Sequence, residues 1–302
     1  MIYFIINPES GSGRGRAAVP VIERIMRENN AEYSLIHTKQ GGDFTDISDY
    51  IDYNEAAAAV CVGGDGTIQE YIGLAAGKNI RFGIIPAGSG NDLILSIPDP
   101  DFMPVRAFKS FEEKIIYYTN KIIRGKTIDV DAVSVNNGEK YFFNIGGTGI
   151  DIQVLKDAQP IKKLFGSSSY FLSLIKNVVT YKTEEMTITV DGEVETDKIL
   201  LAAVCNGSYY GGGMKVAPPA VMNDGLITLC RIRKMPRIKM MTLFPKVKPG
   251  RHINLREVSF VNCLSVKLEF NGKKTINLDG NLYDFENSVL FDIMKNAVRL
   301  IV

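Results

Sequence analysis

Short apolar runs alternate with longer amphipathic stretches along the first 125 residues. Apolar runs at 2–7, 33–37, 57–62 and 82–86 are followed by helical patterns at 17–29, 44–53, 67–76 and from residue 91 onward. Strands and helices in alternation predict βαβ units, so we expect an α/β domain with a mostly parallel sheet. Ligands of such a sheet bind at the carboxyl ends of its strands.

Beyond residue 126 the pattern changes to alternating apolar and polar positions. The turn dipeptides Asn137-Gly138, Asp191-Gly192 and Asn271-Gly272 interrupt it and are typical of β-hairpins. They predict a β-rich antiparallel second domain, with helices at 169–181 and 236–244. The boundary near 125–129 contains one glycine, so we expect two packed halves that enclose a cleft.

The amino-acid composition excludes several classes of protein. The chain has 302 residues, with 35 Lys+Arg against 34 Asp+Glu and a formal net charge of +1. This balance excludes a generally basic nucleic-acid-binding coat and an acidic disordered tail. The longest apolar runs are about seven residues, against the roughly 20 that a membrane helix needs. Met1 leads directly into a strand-like run without a basic leader, so we expect a cytoplasmic protein.

The four cysteines are far apart in sequence and lie in apolar, strand-like runs. They are Cys61, Cys205, Cys230 and Cys263. None has the Cys-x-x-Cys spacing of a zinc or redox site. We therefore expect buried free thiols, with neither a zinc site nor a disulfide.

The first glycine-rich turn, at residues 7–15, runs from a strand directly into a helix. A flexible turn with free backbone N–H groups at a helix N-terminus binds phosphate, and Arg14 and Arg16 add positive charge. An ordinary flexible loop is the alternative interpretation. Residues 13–18 also fit the dinucleotide pattern G-x-G-x-x-A, but the second strand ends in His37-Thr38 where that pattern requires an acidic residue.

The second and third turns each place a carboxylate at the start of a helix. Gly63-Gly64-Asp65-Gly66-Thr67 lets the backbone approach a polyphosphate closely, while Asp65 can face a metal ion there. The alternative for Asp65 is a helix N-cap. The third turn, at 86–92, repeats the arrangement and ends in Asp92. Three such turns after neighbouring strands favour a single phosphate-binding cradle.

At these turns the chain resembles the diacylglycerol kinase catalytic-domain family, which includes soluble bacterial lipid kinases related to sphingosine and ceramide kinases. The resemblance lies in Asn7-Pro8, Ser10-Gly11, the 63–67 turn with Glu70, 86–92, Ile128-Asp129, 143–146, 149–151, 206–213, Ala217-Pro218, 224–226 and Asp279-Gly280. It therefore covers essentially the whole chain.

The resemblance implies an NAD kinase-like α/β domain at 1–127 plus about 293–302, and a β-rich antiparallel sandwich at 128–292. It also implies that the last strand returns to the first domain, and that ATP with Mg²⁺ binds between the domains to phosphorylate a lipid hydroxyl. The implied nucleotide-binding positions are Asn7, Ser10, Gly11, Thr38, Gly63, Gly64, Asp65, Gly66, Thr67, Glu70 and Ser89. The implied carboxylates of the active cleft are Asp65, Asp92, Asp129 and Asp279. A further Mg²⁺ site would comprise Asp224 and main-chain oxygens of Val221 and Leu226.

The turn Asp279-Gly280-Asn281 departs from the family, which often has glutamate at the third position. Phosphoryl transfer uses a carboxylate to orient or deprotonate the attacking hydroxyl, and this glutamate is a favoured base. An amide cannot accept a proton as a base, so either Asp279 carries the role alone or catalysis is weakened. An Asp-Gly-Glu triplet does occur at 191–193, but it lies between two alternating strands and predicts a hairpin turn.

Three functions stay open on the sequence. The first is an ATP-dependent lipid kinase, with the conversion of diacylglycerol to phosphatidic acid as the expected reaction. The second is an NAD kinase-like phosphotransferase, although the Asn-Glu motif of that family is missing after the 63–67 turn. The third is a nucleotide- or lipid-binding module without catalysis, and Asn281 motivates it.

Residues 231–252 contain eight Lys or Arg side chains and no acidic residue. Together with the bulky apolar residues between them they suit an anionic membrane surface, so we expect peripheral membrane association at the lipid substrate. The alternative is a helix that packs its apolar face on the sandwich and leaves a solvated basic face. Nucleic-acid binding is disfavoured because no aromatic stacking array accompanies these cations. Oligomeric state is left open, homodimers being common in the family.

Overall fold

The computed structural model describes residues 1–38, 47, 49–52, 55–73, 75–104, 107–165, 176–177 and 180–302. Half of the helix expected at 44–53 and most of the one expected at 169–181 lie outside the described residues. The chain divides into two compact units. The first comprises Met1–Ile94, Pro98–Val130 and Asn296–Val302, and the second comprises Leu95–Ile97 and Asp131–Lys295.

The first unit is an α/β fold built on parallel strands, as the alternating pattern predicts. Its strands are β1 (Ile2–Ile6), β2 (Tyr33–His37), β3 (Ala58–Gly63) and β4 (Arg81–Pro86). They pair in the order β4-β3-β1-β2, and every pair is parallel. All six residues of β3 are buried, because helices cover both faces of such a sheet and a central strand is then apolar throughout.

Helices follow the strands of the first unit. They are α1 (Ser10–Glu28), α2 (Asp65–Ile72), α3 (Asp92–Ser96) and α4 (Phe111–Arg124). The sequence analysis did not define α4, although its ends carry clear signals. The Ser110 hydroxyl accepts the N–H of Glu113 at 3.0 Å, and the helix ends at Gly125 with φ +63°. α4 packs against α1, where Arg24 and Glu112 form a 2.7 Å ion pair.

The second unit is rich in antiparallel strands. They are β5 (Thr127–Val135), β6 (Lys140–Phe142), β7 (Ile145–Gly149), β8 (Glu184–Val190), β9 (Glu193–Cys205), β10 (Tyr209–Tyr210), β11 (Met214–Lys215), β12 (Ile227–Arg233), β13 (Val258–Cys263), β14 (Ser265–Leu278) and β15 (Asn281–Ile301). Residues 127–130 of β5 and 296–301 of β15 belong to the first unit. Its helices include α5 (Ile150–Phe165) and α6 (Arg237–Val247). The strands pair in the order β13-β12-β9-β7-β14-β15, and β8 also pairs with β9 and β14.

Strand β9 lies at the centre of the second unit and is covered on both faces. Leu201, Ala203 and Cys205 belong to one apolar cluster, which includes buried residues of α5 and α6. The alternate residues Ala202 and Val204 belong to a second cluster, formed with β5, β8, β14 and β15. The alternation places successive side chains in two cores, which gives the sandwich its layers.

Two of the three predicted hairpin turns are confirmed. Asn137-Gly138 connects β5 to β6, and Asp191-Gly192 connects β8 to β9 with Val190 opposite Glu193. The prediction for Asn271-Gly272 is wrong, because β14 continues through it. The register of the β14–β15 pair shifts between Glu269 and Lys273, and Gly272 has φ +70°. The backbone at Gly272 therefore forms a β-bulge and does not reverse the direction of the chain.

The last strand confirms the expected return to the first unit. Near its end, Arg299 and Leu300 of β15 pair in parallel with Arg81 and Phe82 of β4. The four cysteines are free and buried, as the sequence predicts. Within the described part of the chain, no helix has the length and hydropathy of a membrane span.

Candidate active site

The three glycine-rich turns of the first unit touch one another at the carboxyl ends of β1, β3 and β4. A methyl group built on Gly88 would lie 2.5 Å from the Cα of Gly64, so the second and third turns are in contact. One built on Gly11 would lie 2.1 Å from the carbonyl oxygen of Ala87, and Gly11 has φ +57°. Only glycine fits these close backbone approaches. The structure thus brings the turns into one cradle.

Side-chain contacts hold the turns in place. The Asn7 amide donates to the Thr67 hydroxyl at 3.0 Å, which links the first turn to the second. The Asn91 side chain accepts the Gly88 N–H at 3.0 Å and donates to the Gly88 carbonyl at 2.9 Å. The sequence analysis did not single out Asn91, although its φ of +59° after Ser89-Gly90 is a turn signal.

The remaining nucleotide positions lie around this cradle. The Ser10 hydroxyl is 3.6 Å from a methyl built on Gly64, and Ser89 is exposed in the third turn. Thr38 follows β2, and its hydroxyl bonds to the hydroxyl of Tyr71. Burial raises the pKa of Glu70. Thr38 and Ser89 therefore follow strand ends, where ligands of parallel sheets bind, whereas Glu70 lies late in α2 and its expected role stays a prediction.

Asp65 and Asp92 converge beside Gly90. A methyl built on Gly90 would lie 3.1 Å from Asp65 Oδ2 and 3.8 Å from Asp92 Oδ2. Asp65 Oδ1 also accepts the N–H of Leu93 at 3.1 Å. The N-cap interpretation of Asp65 is wrong, because Gly64 is the N-cap of α2 and Asp65 is anchored to α3.

The paired carboxylates fit a divalent cation. Two carboxylates beside each other repel unless a cation lies between them, and Mg²⁺ is commonly bound by one or two carboxylates together with substrate phosphates. Among the described residues no cluster of three or more His, Cys, Asp or Glu forms a metal cage. A cation at Asp65 and Asp92 would therefore complete its coordination with phosphate oxygens and water.

Asp129, the third expected carboxylate of the first unit, is exposed on β5. Its Oδ1 lies 3.7 Å from Nε of Arg299. This ion pair does not test a role in catalysis. Its expected role in the cleft therefore stays a prediction.

Asp279 lies in the turn between β14 and β15, within the second unit. Asp279 and Gly280 have φ +50° and +96°, as in a two-residue hairpin turn. The carboxylate accepts three backbone N–H groups: Phe143 at 2.7 Å, Asn144 at 3.0 Å and Ile145 at 2.8 Å. The N–H of Asp279 in turn donates to the Ile145 carbonyl at 3.1 Å. Both oxygens are thus occupied in holding the 143–145 backbone.

Asn206 supports the same backbone and was not assigned a role from the sequence. Its side chain is fully buried and donates to the carbonyls of Asp131 at 2.9 Å and Phe143 at 2.7 Å. A buried amide that joins two strands fixes their spacing, since breaking either bond would leave a buried polar group unpaired.

The expected further metal site contains a second carboxylate that the sequence analysis did not include. Asp131 is buried, and its Oδ2 accepts the N–H of Gly225 at 2.7 Å. Asp224 accepts the N–H of Leu226 at 3.0 Å, and burial together with the charge of Asp131 raises its pKa. Val221 is exposed nearby in the chain. The spacing Asp129-Val130-Asp131 on a strand could have pointed to Asp131.

Asp151 is a half-buried acid with a buried carboxylate oxygen, and the sequence analysis named it only within the resemblance. It lies in the first turn of α5, and its Oδ1 has no hydrogen-bond partner among the described residues. The side chain of Asn277 bonds to Asp151 and accepts the N–H of Gly280 at 2.7 Å. Burial raises the pKa of Asp151 to about 6. A carboxyl group with a shifted pKa is thus linked to the Asp279 turn.

Replacing Asp151 by asparagine is expected to stabilise the protein in a pH-dependent way. The folded protein binds this proton more tightly than the unfolded chain, so stability falls as pH rises from about 4 through 6. Asp151→Asn removes this loss, and the free energy of unfolding should rise by about 2 kcal/mol at pH 8. Urea unfolding at pH 4.5, 6 and 8 measures it.

A matched control lies on the same helix. Hydrogen bonds from Asn177 and Lys176 lower the pKa of Asp157, so Asp157→Asn should lose stability at pH 8. A gain for Asp151→Asn of equal size at all three pH values would contradict the shifted pKa as its cause.

Comparison with known proteins assigns the chain to a family. Residues 1–135 match the family described as diacylglycerol kinase catalytic domain, and residues 144–302 match the YegS C-terminal NAD kinase beta sandwich-like domain. The two matches define a lipid kinase, an enzyme that transfers a phosphate group to a lipid hydroxyl. The chain belongs to the family whose members carry the YegS C-terminal domain, here joined to the diacylglycerol kinase catalytic domain.

Curated relatives agree with this assignment, and solved structures share the fold. A diacylglycerol kinase of Mycobacterium tuberculosis is 29% identical over 277 residues, covering 89% of this chain and 84% of the relative. A diacylglycerol kinase of Bacillus subtilis is 27% identical over 279 residues, covering 91% and 88%. The crystal structure of a diacylglycerol kinase from Bacillus anthracis shares the fold, with a TM-score of 0.75, 22% identity and coverage of 99% and 96%.

Proposed function

We propose that the protein transfers the γ-phosphate of ATP to the hydroxyl of diacylglycerol and forms phosphatidic acid. The observation that carries the phosphotransfer half of the proposal is the convergence of Asp65 and Asp92 on the glycine cradle. Diacylglycerol as the acceptor is supported by the names of the relatives from M. tuberculosis and B. subtilis.

The cradle supplies the positioning and charge neutralisation that phosphoryl transfer requires. Backbone N–H groups of the three turns would bind the phosphates, and the hydroxyls of Ser10 and Thr67 lie beside them. Asp65 and Asp92 would hold Mg²⁺, which neutralises charge on the transferred group. The roles expected of three further residues stay predictions; these residues are Glu70, Ser89 and Asp129.

Asp279 acts in this proposal as a positioning residue. Three N–H donors already bind its carboxylate, so it is a poor proton acceptor. Asn281, two residues further, has an amide and no basic oxygen. The transition state of phosphoryl transfer is loose, and its stabilisation depends on geometry and charge more than on a strong base. Catalysis without the family's glutamate is consistent with that chemistry.

The test is transfer of labelled γ-phosphate from ATP, with and without Mg²⁺. Acceptors are diacylglycerol, monoacylglycerol, sphingosine and ceramide in mixed micelles, and NAD in solution. Labelled phosphatidic acid that disappears without Mg²⁺ supports the proposal. Labelled NADP would establish the phosphotransferase alternative, and bound ATP without any labelled product would establish a binding module.

The second expected cation would be held by Asp131 and Asp224. These carboxylates interact electrostatically, and main-chain oxygens of Val221 and Leu226 were expected as further ligands. We propose that this site has a structural role, because Asp131 already accepts a backbone N–H and is buried.

We propose that the protein contacts the membrane through α6, which lies in the basic segment 231–252. Three cations of the segment are paired with acids from outside it: Arg231 and Arg233 with Glu195, and Lys239 with Glu257. Met240, Leu243 and Val247 of α6 are buried in the core, so the packing interpretation holds for this face. The opposite face exposes Ile238 by 81% and Met241 by 61%.

The same segment carries exposed cations. They are Lys234, Arg237, Lys246, Lys248 and Arg251. Apolar side chains that insert at the headgroup level, with Lys and Arg around them, are typical of peripheral attachment to anionic lipid. The structure therefore makes Arg237 a better residue to mutate than the paired Lys239.

Charge reversal in this segment is expected to weaken membrane binding. Arg237→Glu should reduce sedimentation with vesicles of phosphatidylglycerol and phosphatidylcholine about tenfold, since each cation near such a surface contributes about 1 kcal/mol. Arg27→Glu on α1 changes the net charge equally and is the control. Equal binding of wild type and Arg237→Glu would exclude α6 as the attachment site.

A further inference from the structure

Lys114 is a lysine of the first unit that lies almost completely inside the protein. It is 5% exposed on α4, and its Nζ lies 5.2 Å from the centre of the Phe111 ring. Removing an ammonium group from water costs several kcal/mol unless a partner compensates for it. A contact with one aromatic ring returns only part of that cost.

Lys114 has no carboxylate partner among the described residues. Two other cations of α1 and α4 have acidic partners: Arg24 pairs with Glu112, and Lys121 pairs with Asp99. Arg14 at the start of α1 also lacks an acidic partner in the described structure, and its charge acts on Lys114. Burial first and the charge of Arg14 second lower the pKa of Lys114 to about 8. These two cations repel each other, and no anion of the described residues offsets the repulsion.

Arg14 connects this pair to the glycine cradle. Its Nη1 lies 3.5 Å from the carbonyl oxygen of Gly88 in the third turn. Its side chain also passes 3.1 Å from a methyl built on Gly11 in the first turn. The guanidinium is therefore held at the surface where the phosphates of ATP are proposed to bind.

We propose that Lys114 and Arg14 form a two-cation subsite for the phosphate chain of the nucleotide. This inference rests on the proposed function, because it assigns further ligands to the same nucleotide site. The anion supplies the missing counter-charge for both side chains. Lysine binds phosphate as a point charge, and arginine binds it with several N–H donors. The pair thus recognises the polyphosphate and not the nucleoside.

The test compares Lys114→Met, Lys114→Arg and the control Arg24→Gln by calorimetry with ATP, inorganic tripolyphosphate and adenosine. Lys114→Met should bind ATP and tripolyphosphate about tenfold more weakly, the loss of one charge-assisted contact, and should bind adenosine as wild type does. Lys114→Arg should retain most of the affinity, and Arg24→Gln all of it. The melting temperature of Lys114→Met without ligand should rise, because an unpaired buried charge is gone.

The possible outcomes distinguish failure of the subsite from failure of the proposed function. Equal affinity of wild type and Lys114→Met for ATP and tripolyphosphate would overturn the subsite and leave the proposed function standing. Binding of tripolyphosphate through Lys114 without any binding of ATP would keep the subsite and overturn the proposed function. A lower melting temperature for Lys114→Met with unchanged phosphate affinity would make Lys114 a structural residue only.

Discussion

Replacement of Asp279 by asparagine is expected to abolish most of the kinase activity and to destabilise the second unit. The carboxylate accepts the N–H groups of Phe143, Asn144 and Ile145. An asparagine offers one oxygen and turns an NH₂ group towards donors, so at least one N–H is left unpaired. We expect a loss of about 2–4 kcal/mol in the free energy of unfolding. Displacing the 143–145 backbone should cost about 100-fold in kcat.

Asp191 provides a closely matched control in the same unit. Asp191 and Gly192 have φ +48° and +94°, almost the values of Asp279 and Gly280. The Asp191 carboxylate accepts backbone N–H groups of Leu264 and Ser265 at 3.0 and 2.9 Å. Asp191→Asn should therefore lose stability as Asp279→Asn does, yet keep its activity.

The measurements are urea unfolding and the rate of labelled phosphate transfer for both variants. A loss of activity in Asp279→Asn without a loss of stability would show that Asp279 acts directly on the reacting groups. Equal losses of activity in both variants would show that activity follows stability alone.

Replacement of Asp65 by asparagine is expected to remove phosphate transfer while the fold is retained. The amide oxygen can still accept the N–H of Leu93, so the anchor to α3 is preserved. The negative charge beside Asp92 is lost, and with it most of the affinity for the divalent cation. We expect kcat to fall by about 10²–10³, the size of effect seen when one charge-stabilising group is removed.

A titration of Mg²⁺ in the transfer assay measures this effect. The Mg²⁺ concentration at half-maximal rate should rise, and the melting temperature without Mg²⁺ should remain near that of wild type. Asp101→Asn, an exposed acid of the same unit paired with Lys126, is the control and should behave as wild type. Unchanged Mg²⁺ dependence in Asp65→Asn would place the cation elsewhere.

The fold could be predicted where an element depends on residues that are close together in the sequence. Alternating strands and helices predicted the parallel sheet, because β3 is apolar throughout and β4 is apolar after Arg81. The turn dipeptides predicted two hairpins. The same dipeptide at Asn271-Gly272 gave a bulge, because a positive φ permits either outcome and the pairing of β14 with β15 decides between them. The sequence analysis does not predict helix α5, because it lies within the half whose pattern predicts mainly strands.

The site could be predicted only in part. The glycine-rich turns can be recognised in the sequence, and the site residues Asp65 and Asp92 are predicted from them. That Asp279 is bound by three N–H groups could not be predicted, because its partners are about 135 residues away in the chain. Asp131, Asn206 and Lys114 were missed for a related reason: their importance comes from burial, and no local pattern shows that a polar or charged side chain is buried.

The path of β15 sets an order of events during synthesis. β4 receives its second neighbour only when Arg299 and Leu300 have been made, more than 200 residues after β4 itself. At about 5–20 residues per second, translation leaves that edge of β4 without its final partner for tens of seconds. An open strand edge is a template for pairing with other chains. Newly made protein is therefore most exposed to aggregation before the last residues emerge, and chaperone binding to nascent chains should concentrate in that interval.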